Sequence, residues 1–339
     1  MPYAKIALTF TGNQRFQVSL EYIQSCISDD MHAVDAVIRK SLHSEVALVN
    51  QVADYIVNSG GKRLRPALVL LSAGVFGRIT AHHHELAAVV EFIHTATLLH
   101  DDVVDGSSMR RGKATANTLF GNPASVLVGD FIYSRAFQMM VGVQNMRVME
   151  VLADATNIIA EGEVLQLLNV HDADVTDEAY LKVIRYKTAK LFEAATRLGA
   201  IMCSASERDE QALAEYGMRL GTAFQLIDDV LDFSGASGKI GKNLGDDLAE
   251  GKPTLPLLYA MRNGNHQQHA TIRHAIEQGG LDELAAVMQA VRDTDALQHV
   301  RALASKETEI GCAAIAHLPG SNYHQALIEL AKFAVNRSF

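Results

Sequence analysis

Apolar residues recur at spacings of three and four through the middle of the chain. Examples are Leu86, Val89, Val90, Ile93, Ala96 and Thr97, and again Leu181, Val183, Ile184, Thr188 and Leu191. This is the period of one helix face, and strand-type alternation is scarce. Breaks fall at Gly60-Gly61, Gly77, Gly106 to Gly112, Gly121-Asn122, Val170 to Asp177, Ser204 to Ser206 and Ser234 to Lys252. Between Pro66 and Pro253 stands a single proline, Pro123, and Asn122 before it is expected to cap a helix with the proline in first position. The intervals predict helices of roughly 20 to 30 residues, longer than the usual globular helix. Such rods suggest a bundle around a deep central cavity. Shorter helices follow Asn263, and no Pro/Ser linker or composition shift divides the chain. Residues 19–339 therefore read as one all-α domain, and residues 1–18 as an N-terminal extension that the helical pattern does not absorb.

Composition sharpens this picture by exclusion. With 339 residues, 48% hydrophobic and 20% charged, the chain can bury a large core and is not of disordered type. Its net charge of −9 disfavours a nucleic-acid binder, which needs clustered positive charge. The longest apolar stretch, Pro66 to Phe76, is about half of the ~20 residues that a membrane span requires, so no membrane insertion is expected. Cys26, Cys203 and Cys312 match no metal-ligand spacing and read as reduced thiols in a cytoplasmic protein.

One pattern occurs twice. Leu99-His100-Asp101-Asp102-Val103-Val104-Asp105 is echoed by Leu226-Ile227-Asp228-Asp229-Val230-Leu231-Asp232, each near the end of a long helical stretch. Asp101 and Asp105 share a helix face, as do Asp228 and Asp232. Like charges at that spacing repel and aspartate is a poor helix former, so a cation is needed to offset the cost. A lone trio is often just a solvated helix face, but two trios flanked by Leu, Ile and Val point to a wet cavity between two helices. Carboxylate oxygens suit Mg²⁺, which bridges carboxylates to substrate phosphate. Lys62, Arg63 and Arg65 follow Gly60-Gly61, and Arg110 and Arg111 follow the first trio, as phosphate clamps would. Lys187, Lys242 and Lys252 add to them. The Gly-Lys pairs at 112, 241 and 251 lack the spacing of a P-loop. His100-Asp101 as a phosphohydrolase dyad leaves the second trio unexplained, and Glu91-x-x-His94 lacks the second copy that a di-iron bundle requires. His82-His83-His84 read as a solvated helix start, because three adjacent helical residues point in different directions.

With Gly60-Gly61-Lys62-Arg63-Leu64-Arg65-Pro66, the first trio with Arg110-Arg111-Gly112, Lys187-Thr188, and Phe224-Gln225-Leu226-Ile227-Asp228-Asp229, the chain resembles the trans-isoprenyl diphosphate synthases from about Leu20 to its end. It looks closest to the bacterial members that make the octaprenyl side chain of respiratory quinones. The resemblance implies the all-α isoprenoid synthase fold, a homodimer, and Mg²⁺-dependent condensation of an allylic diphosphate with isopentenyl diphosphate. Two or three Mg²⁺ ions, with Mn²⁺ as a substitute, would sit on Asp101, Asp102, Asp105, Asp228, Asp229 and Asp232. Arg110, Lys187, Lys242 and Lys252 would hold the allylic diphosphate, and Lys62, Arg65, His94 and Arg111 the isopentenyl diphosphate. Thr188 and Gln225 would face the developing cation. Arg337, near the C-terminus, stands where the family brings a basic tail over the isopentenyl diphosphate site.

Product length would be set by what plugs the cavity below the first trio. Ala96 and Thr97, one turn before Asp101, are small, which in the family goes with long products. A helix turn rises ~5.4 Å, about one isoprene unit. Met139, Met140 and Leu152 are floor candidates, although Met at helical spacing is commonly core packing. Other readings are a synthase of heptaprenyl, solanesyl or geranylgeranyl length, a non-catalytic regulatory subunit, and a terpene cyclase, which needs no second diphosphate site.

Overall fold

The computed structural model describes residues 20–234 and 245–337. The N-terminal extension and Lys242 lie outside them. The chain is helical as expected, but several helices are shorter than the 20 to 30 residues expected; the order is α1 (Ser28–Ser41), α2 (Ala47–Val57), α3 (Leu64–Val75), α4 (Ala81–Val104), α5 (Ala116–Phe120), α6 (Asn122–Gly142), α7 (Met146–Asn169) and α8 (Asp177–Ile184). A π-helical turn, Arg185–Ala189, joins α8 to α9 (Lys190–Met202), and α10 (Glu207–Asp232) follows. Then come α11 (Asp246–Ala249), α12 (Leu255–Asn263), α13 (His266–Gln278), α14 (Leu284–Asp293), α15 (Ala296–Ile315) and α16 (Asn322–Asn336). Among the described residues the only sheet is a two-residue ribbon pairing Met109 with Ala114 and Arg110 with Lys113.

The periodic apolar positions explain which helices are central. α3 buries every residue from Pro66 to Val75, so it is surrounded on all sides, as its uninterrupted apolar run requires. α4 packs against α3 and α6, and α10 lies against α9 and α15. Leu213, Tyr216 and Leu220 of α10 enter a main core with α1 to α4, α6, α7, α9 and α16. Further along the same helix, Ala223, Leu226, Ile227 and Val230 enter a second core with α12 to α15. α10 thus welds both cores into one body and delivers its C-terminal aspartates to the seam. Tyr216, fully buried, donates to the Leu327 carbonyl at 2.6 Å and ties α16 to this axis.

Helix starts follow side-chain chemistry. Asn145, Thr176 and Ser206 accept backbone N–H bonds at the starts of α7, α8 and α10. At α6 the capping position is taken by Gly121 in a positive-φ conformation, and Asn122 is already helical. The histidine run corrects the sequence expectation. It does begin α4, but His83 is completely buried, its Nδ1 accepting the Thr80 N–H at 3.0 Å, while His84 pairs with Asp30 and His82 with Glu85. A capping histidine can point inward because the helix start itself is packed against α9, just beyond whose end the Cys203 sulfur lies 3.6 Å from His83 Nε2.

Candidate active site

α4 and α10 both end at one cavity of about 820 Å³. Each brings the partial negative charge of a helix C-terminus together with its own carboxylates, so this end of the molecule calls for cations. Asp101 and Asp105 line the cavity from one side, and Asp228, Asp229 and Asp232 from the other. Asp102 does not line it. It is fully buried, with Oδ1 accepting from Arg110 Nε at 2.8 Å and lying 2.7 Å from a second guanidinium nitrogen, and its carbonyl accepts from Asn117. The middle carboxylate of the first trio therefore orients Arg110, which itself lines the cavity.

The second trio divides in a similar way. Asp228 projects toward the cavity and pairs with Arg337 at 2.7 Å. Asp229 is 2% exposed and has both oxygens engaged, by Tyr180 O–H at 2.5 Å and by Gln225 Nε2 at 2.8 Å. Gln225 Oε1 in turn accepts from the Thr188 hydroxyl at 3.0 Å. Asp232 closes the helix end, where its Oδ2 accepts the Asp247 N–H at 3.4 Å.

Lys187 and Thr188 sit in the π-helical turn, a geometry that often marks functional positions. Two glycines let neighbouring helices close on it. A Cβ on Gly162 of α7 would stand 2.6 Å from the Lys187 backbone nitrogen, and one on Gly221 of α10 would stand 2.5 Å from Ala189 Cα. The close approach brings Glu163 and Gln166 of α7 to Lys187, at 2.5 Å and 2.6 Å, with Asp101 at 3.7 Å. Lys252, following α11, bonds Asp105 at 3.0 Å and also Glu250.

The basic side of the cavity is made by the loop before α3 and the ribbon. Arg111 donates to the Gly60 carbonyl, and its guanidinium lies so close to Gly61 that a Cβ there would be 2.7 Å away. Gly61, Arg63 and Arg111 all have positive φ, so the sharp path of both loops is what places Lys62, Arg65 and Arg111 around one space. Arg65 stacks over Phe192 at 4.7 Å, and Lys62 lies over the Phe333 ring at 5.1 Å. His94 lines the same space, together with Glu91.

Electrostatics follow from this crowding. Burial, with Asp105 adding to it, pushes Asp101 above the usual aspartate range against the pull of Lys187. Burial, then Asp247 and Asp228, pushes Asp229 up to about 8, and burial with Asp101 and Asp105 pushes Glu163 up to about 7. Lys252 would be lowered by burial, but Asp105, Asp247 and Glu250 outweigh that and push it up. Burial and the charges of Arg65, Arg111 and Arg110 hold His94 well below the usual histidine range, so it is neutral. Burial also brings Arg65 down to about 10.

An oxygen-only set of crowded carboxylates fits a hard divalent cation, whose charge would offset the burial and, after it, the like-charge repulsion that raise Asp101 and Asp229. Among the described residues no three His, Cys, Asp or Glu side chains form a preassembled cage.

Of the length-determining candidates, Thr97 lines the cavity. Ala96, Met140 and Leu152 are fully buried in the main core and Met139 packs against it, none of them at the cavity wall. The apolar wall instead includes Leu98, Ile159, Ile184 and Leu191. Sequence reasoning passed over Glu163, Gln166 and Tyr180. The first two carried a signal, a pair three residues apart on a helix beside Gly162; Tyr180 carried none.

The sequence matches the polyprenyl synthetase family over residues 46–293. It is 52% identical to an octaprenyl diphosphate synthase of Escherichia coli over 94% of this chain and 99% of that protein. An octaprenyl diphosphate synthase of Haemophilus influenzae is 51% identical over 95% of this chain and 98% of its own length. Among solved structures, a polyprenyl synthase from Caulobacter crescentus, crystallised with calcium and isoprenyl diphosphate, superposes with a TM-score of 0.91 at 42% identity, covering 94% of this chain and 98% of that one.

Proposed function

The chain belongs to the polyprenyl synthetase family, and we propose from that premise which product it makes and which residue does what. It is a long-chain all-trans-polyprenyl diphosphate synthase, a prenyltransferase that adds isopentenyl diphosphate repeatedly to an allylic diphosphate. The proposed starter is farnesyl diphosphate and the proposed product octaprenyl diphosphate, the length named for the relatives about 52% identical to it. The observation that carries the reading is the pair of aspartate-bearing helix ends facing each other across one cavity, with separate basic clusters on its walls.

The family uses a divalent metal, and here we assign Mg²⁺ to Asp101, Asp105, Asp228 and Asp232, whose like charges it would offset. When bound it supplies Lewis-acid stabilisation of the departing diphosphate. Lys187, Lys252 and Arg110 neutralise the allylic diphosphate as its charge builds, a contribution that grows toward the transition state. Glu163 and Gln166 hold the Lys187 ammonium in place, and Asp102 and Asp105 do the same for Arg110 and Lys252. On the other wall Lys62, Arg65 and Arg111 bind isopentenyl diphosphate, with neutral His94 as an uncharged hydrogen-bonding group beside them. This holds the incoming double bond next to the allylic carbon, so that capture of the cation depends mainly on orientation. The Gln225 carbonyl and the Thr188 hydroxyl turn oxygen dipoles toward the cation without becoming nucleophiles that would trap it.

Residues 19–339 act as one domain in this reading. We assign a homodimer, supported by the exposed apolar face of α7 that carries Val164, Leu167 and Leu168. The three free cysteines support a reducing, cytoplasmic setting, and among the described residues no helix is long and apolar enough to cross a membrane. Diphosphate release tests the two-substrate chemistry. Release that is fast only with farnesyl and isopentenyl diphosphates together, and that stops with EDTA, is expected. Equal release from farnesyl diphosphate alone would instead mean hydrolysis or cyclisation.

A further inference from the structure

The side chains behind Gln225 form a directed chain. The Thr188 hydroxyl donates to Gln225 Oε1 at 3.0 Å, Gln225 Nε2 donates to Asp229 Oδ1 at 2.8 Å, and the Tyr180 hydroxyl donates to Asp229 Oδ2 at 2.5 Å. A glutamine amide has a donor end and an acceptor end of nearly the same shape, and only its partners decide which way it faces. Both Asp229 oxygens accept, Oδ1 from Gln225 and Oδ2 from Tyr180, so Asp229 selects the NH₂ end and leaves the carbonyl on the Thr188 side. A flipped amide would bring two oxygens together at Asp229 and put an NH₂ group beside a developing carbocation.

The carboxylate itself needs an anchor. Tyr180 is 5% exposed, and its ring belongs to the second core. Burial, and Asp229 after it, push the Tyr180 phenol well above the usual range, so its proton stays available to donate. α8 is fixed at its start by the Thr176 cap and by Arg262, which bonds the Val175 carbonyl at 2.5 Å and also pairs with Asp177. Tyr180 thus connects a rigid element to the far oxygen of Asp229 and prevents that carboxylate from rotating away from Gln225.

We propose that Tyr180 is a positioning residue for prenyl transfer, acting through Asp229 to fix which end of the Gln225 amide faces the reacting carbons. The inference rests on the reading above that Gln225 faces the allylic cation.

A double-mutant cycle on a single condensation of farnesyl with isopentenyl diphosphate tests it, with kcat and both KM values recorded. Tyr180→Phe keeps the ring and removes only the hydroxyl. It is expected to lower kcat about tenfold, the upper end of what one hydrogen bond contributes, while both KM values stay within about twofold. Gln225→Ala is expected to lower kcat at least as much, and adding Tyr180→Phe to it should cost nothing more. An equal loss from Tyr180→Phe in both backgrounds, or no loss in either, overturns the inference. Native kcat in Gln225→Ala overturns it along with the role of Gln225, while prenyl transfer by the unsubstituted protein still stands. If thermal melting shows that Tyr180→Phe is unfolded, Asp229→Asn takes its place in the same cycle, with the same outcomes.

Discussion

Gly162→Ala adds one methyl group to the protein, and the structure says that it falls on the backbone of the π-helical turn. The new Cβ would lie 2.6 Å from Lys187 N, 2.9 Å from Tyr186 Cβ and 3.0 Å from Lys187 Cα, whereas ordinary contact begins at 3.4 Å. Either α7 or the turn must therefore retreat by about 0.8 Å. Backbone atoms cannot rotate aside as a side chain would, so the displacement passes to Lys187 and Thr188. Overpacking of this kind costs roughly 1–3 kcal/mol, set against about 1 kcal/mol of helix propensity gained over glycine. The net effect on stability is thus small, a melting shift of about 3 °C or less for a chain of this size. Activity is affected far more, because a misplacement near 1 Å at a diphosphate clamp can cost on the order of 10²-fold in rate. The assay is steady-state prenyl transfer beside a thermal melt, with Gly142→Ala as control, since nothing lies within 4 Å of a Cβ there. Full activity in Gly162→Ala would refute the claim that close packing at Gly162 sets the position of Lys187.

Arg110→Met strands the buried Asp102 carboxylate, so the ligand-free protein is expected to lose about 3 kcal/mol and roughly 4 °C in melting temperature; an unchanged melt would show that the pair contributes nothing. His83 must be neutral to accept the Thr80 N–H, and burial lowers its pKa below the ordinary 6.5. Below that pH the unfolded chain binds more protons, so the stability His83 contributes is present above it and lost on acidification. His83→Gln keeps the cap, and its melting temperature is expected to fall less than that of the unsubstituted protein between pH 6.5 and lower values. Lys62→Ala is expected to raise the KM for isopentenyl diphosphate about tenfold with little change for the allylic substrate, and equal effects on both would remove the distinction between the two walls. Thr97→Tyr places an aromatic ring at the cavity wall and is expected to shorten the product, which reversed-phase separation of the dephosphorylated chains would register.

The periodic pattern was enough for an all-α chain, because Leu86, Val89, Val90 and Ile93 form a helix face that only packing against other helices can bury. The repeated aspartates were legible for a similar reason, since like charges four residues apart on helices flanked by buried Leu and Ile require a compensating cation. Which aspartate does what was not legible. Asp102 and Asp229 occupy the same position in their motifs as potential ligands, and only the tertiary structure turns one toward Arg110 and the other toward Tyr180. Tyr180 lies far in sequence from the aspartate motif that it serves, so spacing carried no sign of it. The burial of His83 was invisible because a histidine at a helix start is compatible with solvent until α9 packs over it. The length candidates show a related limit. Helical spacing locates Ala96 and Leu152 inside the bundle, but whether an interior residue faces the cavity or the packed core depends on neighbouring helices.

The central claim is tested most directly by incubating the protein with radiolabelled isopentenyl diphosphate, farnesyl diphosphate and Mg²⁺ and separating the dephosphorylated products by length. The account predicts Mg²⁺-dependent accumulation of one long product near forty carbons. No incorporation with any allylic starter would contradict it, leaving the paired aspartates without the chemistry assigned to them.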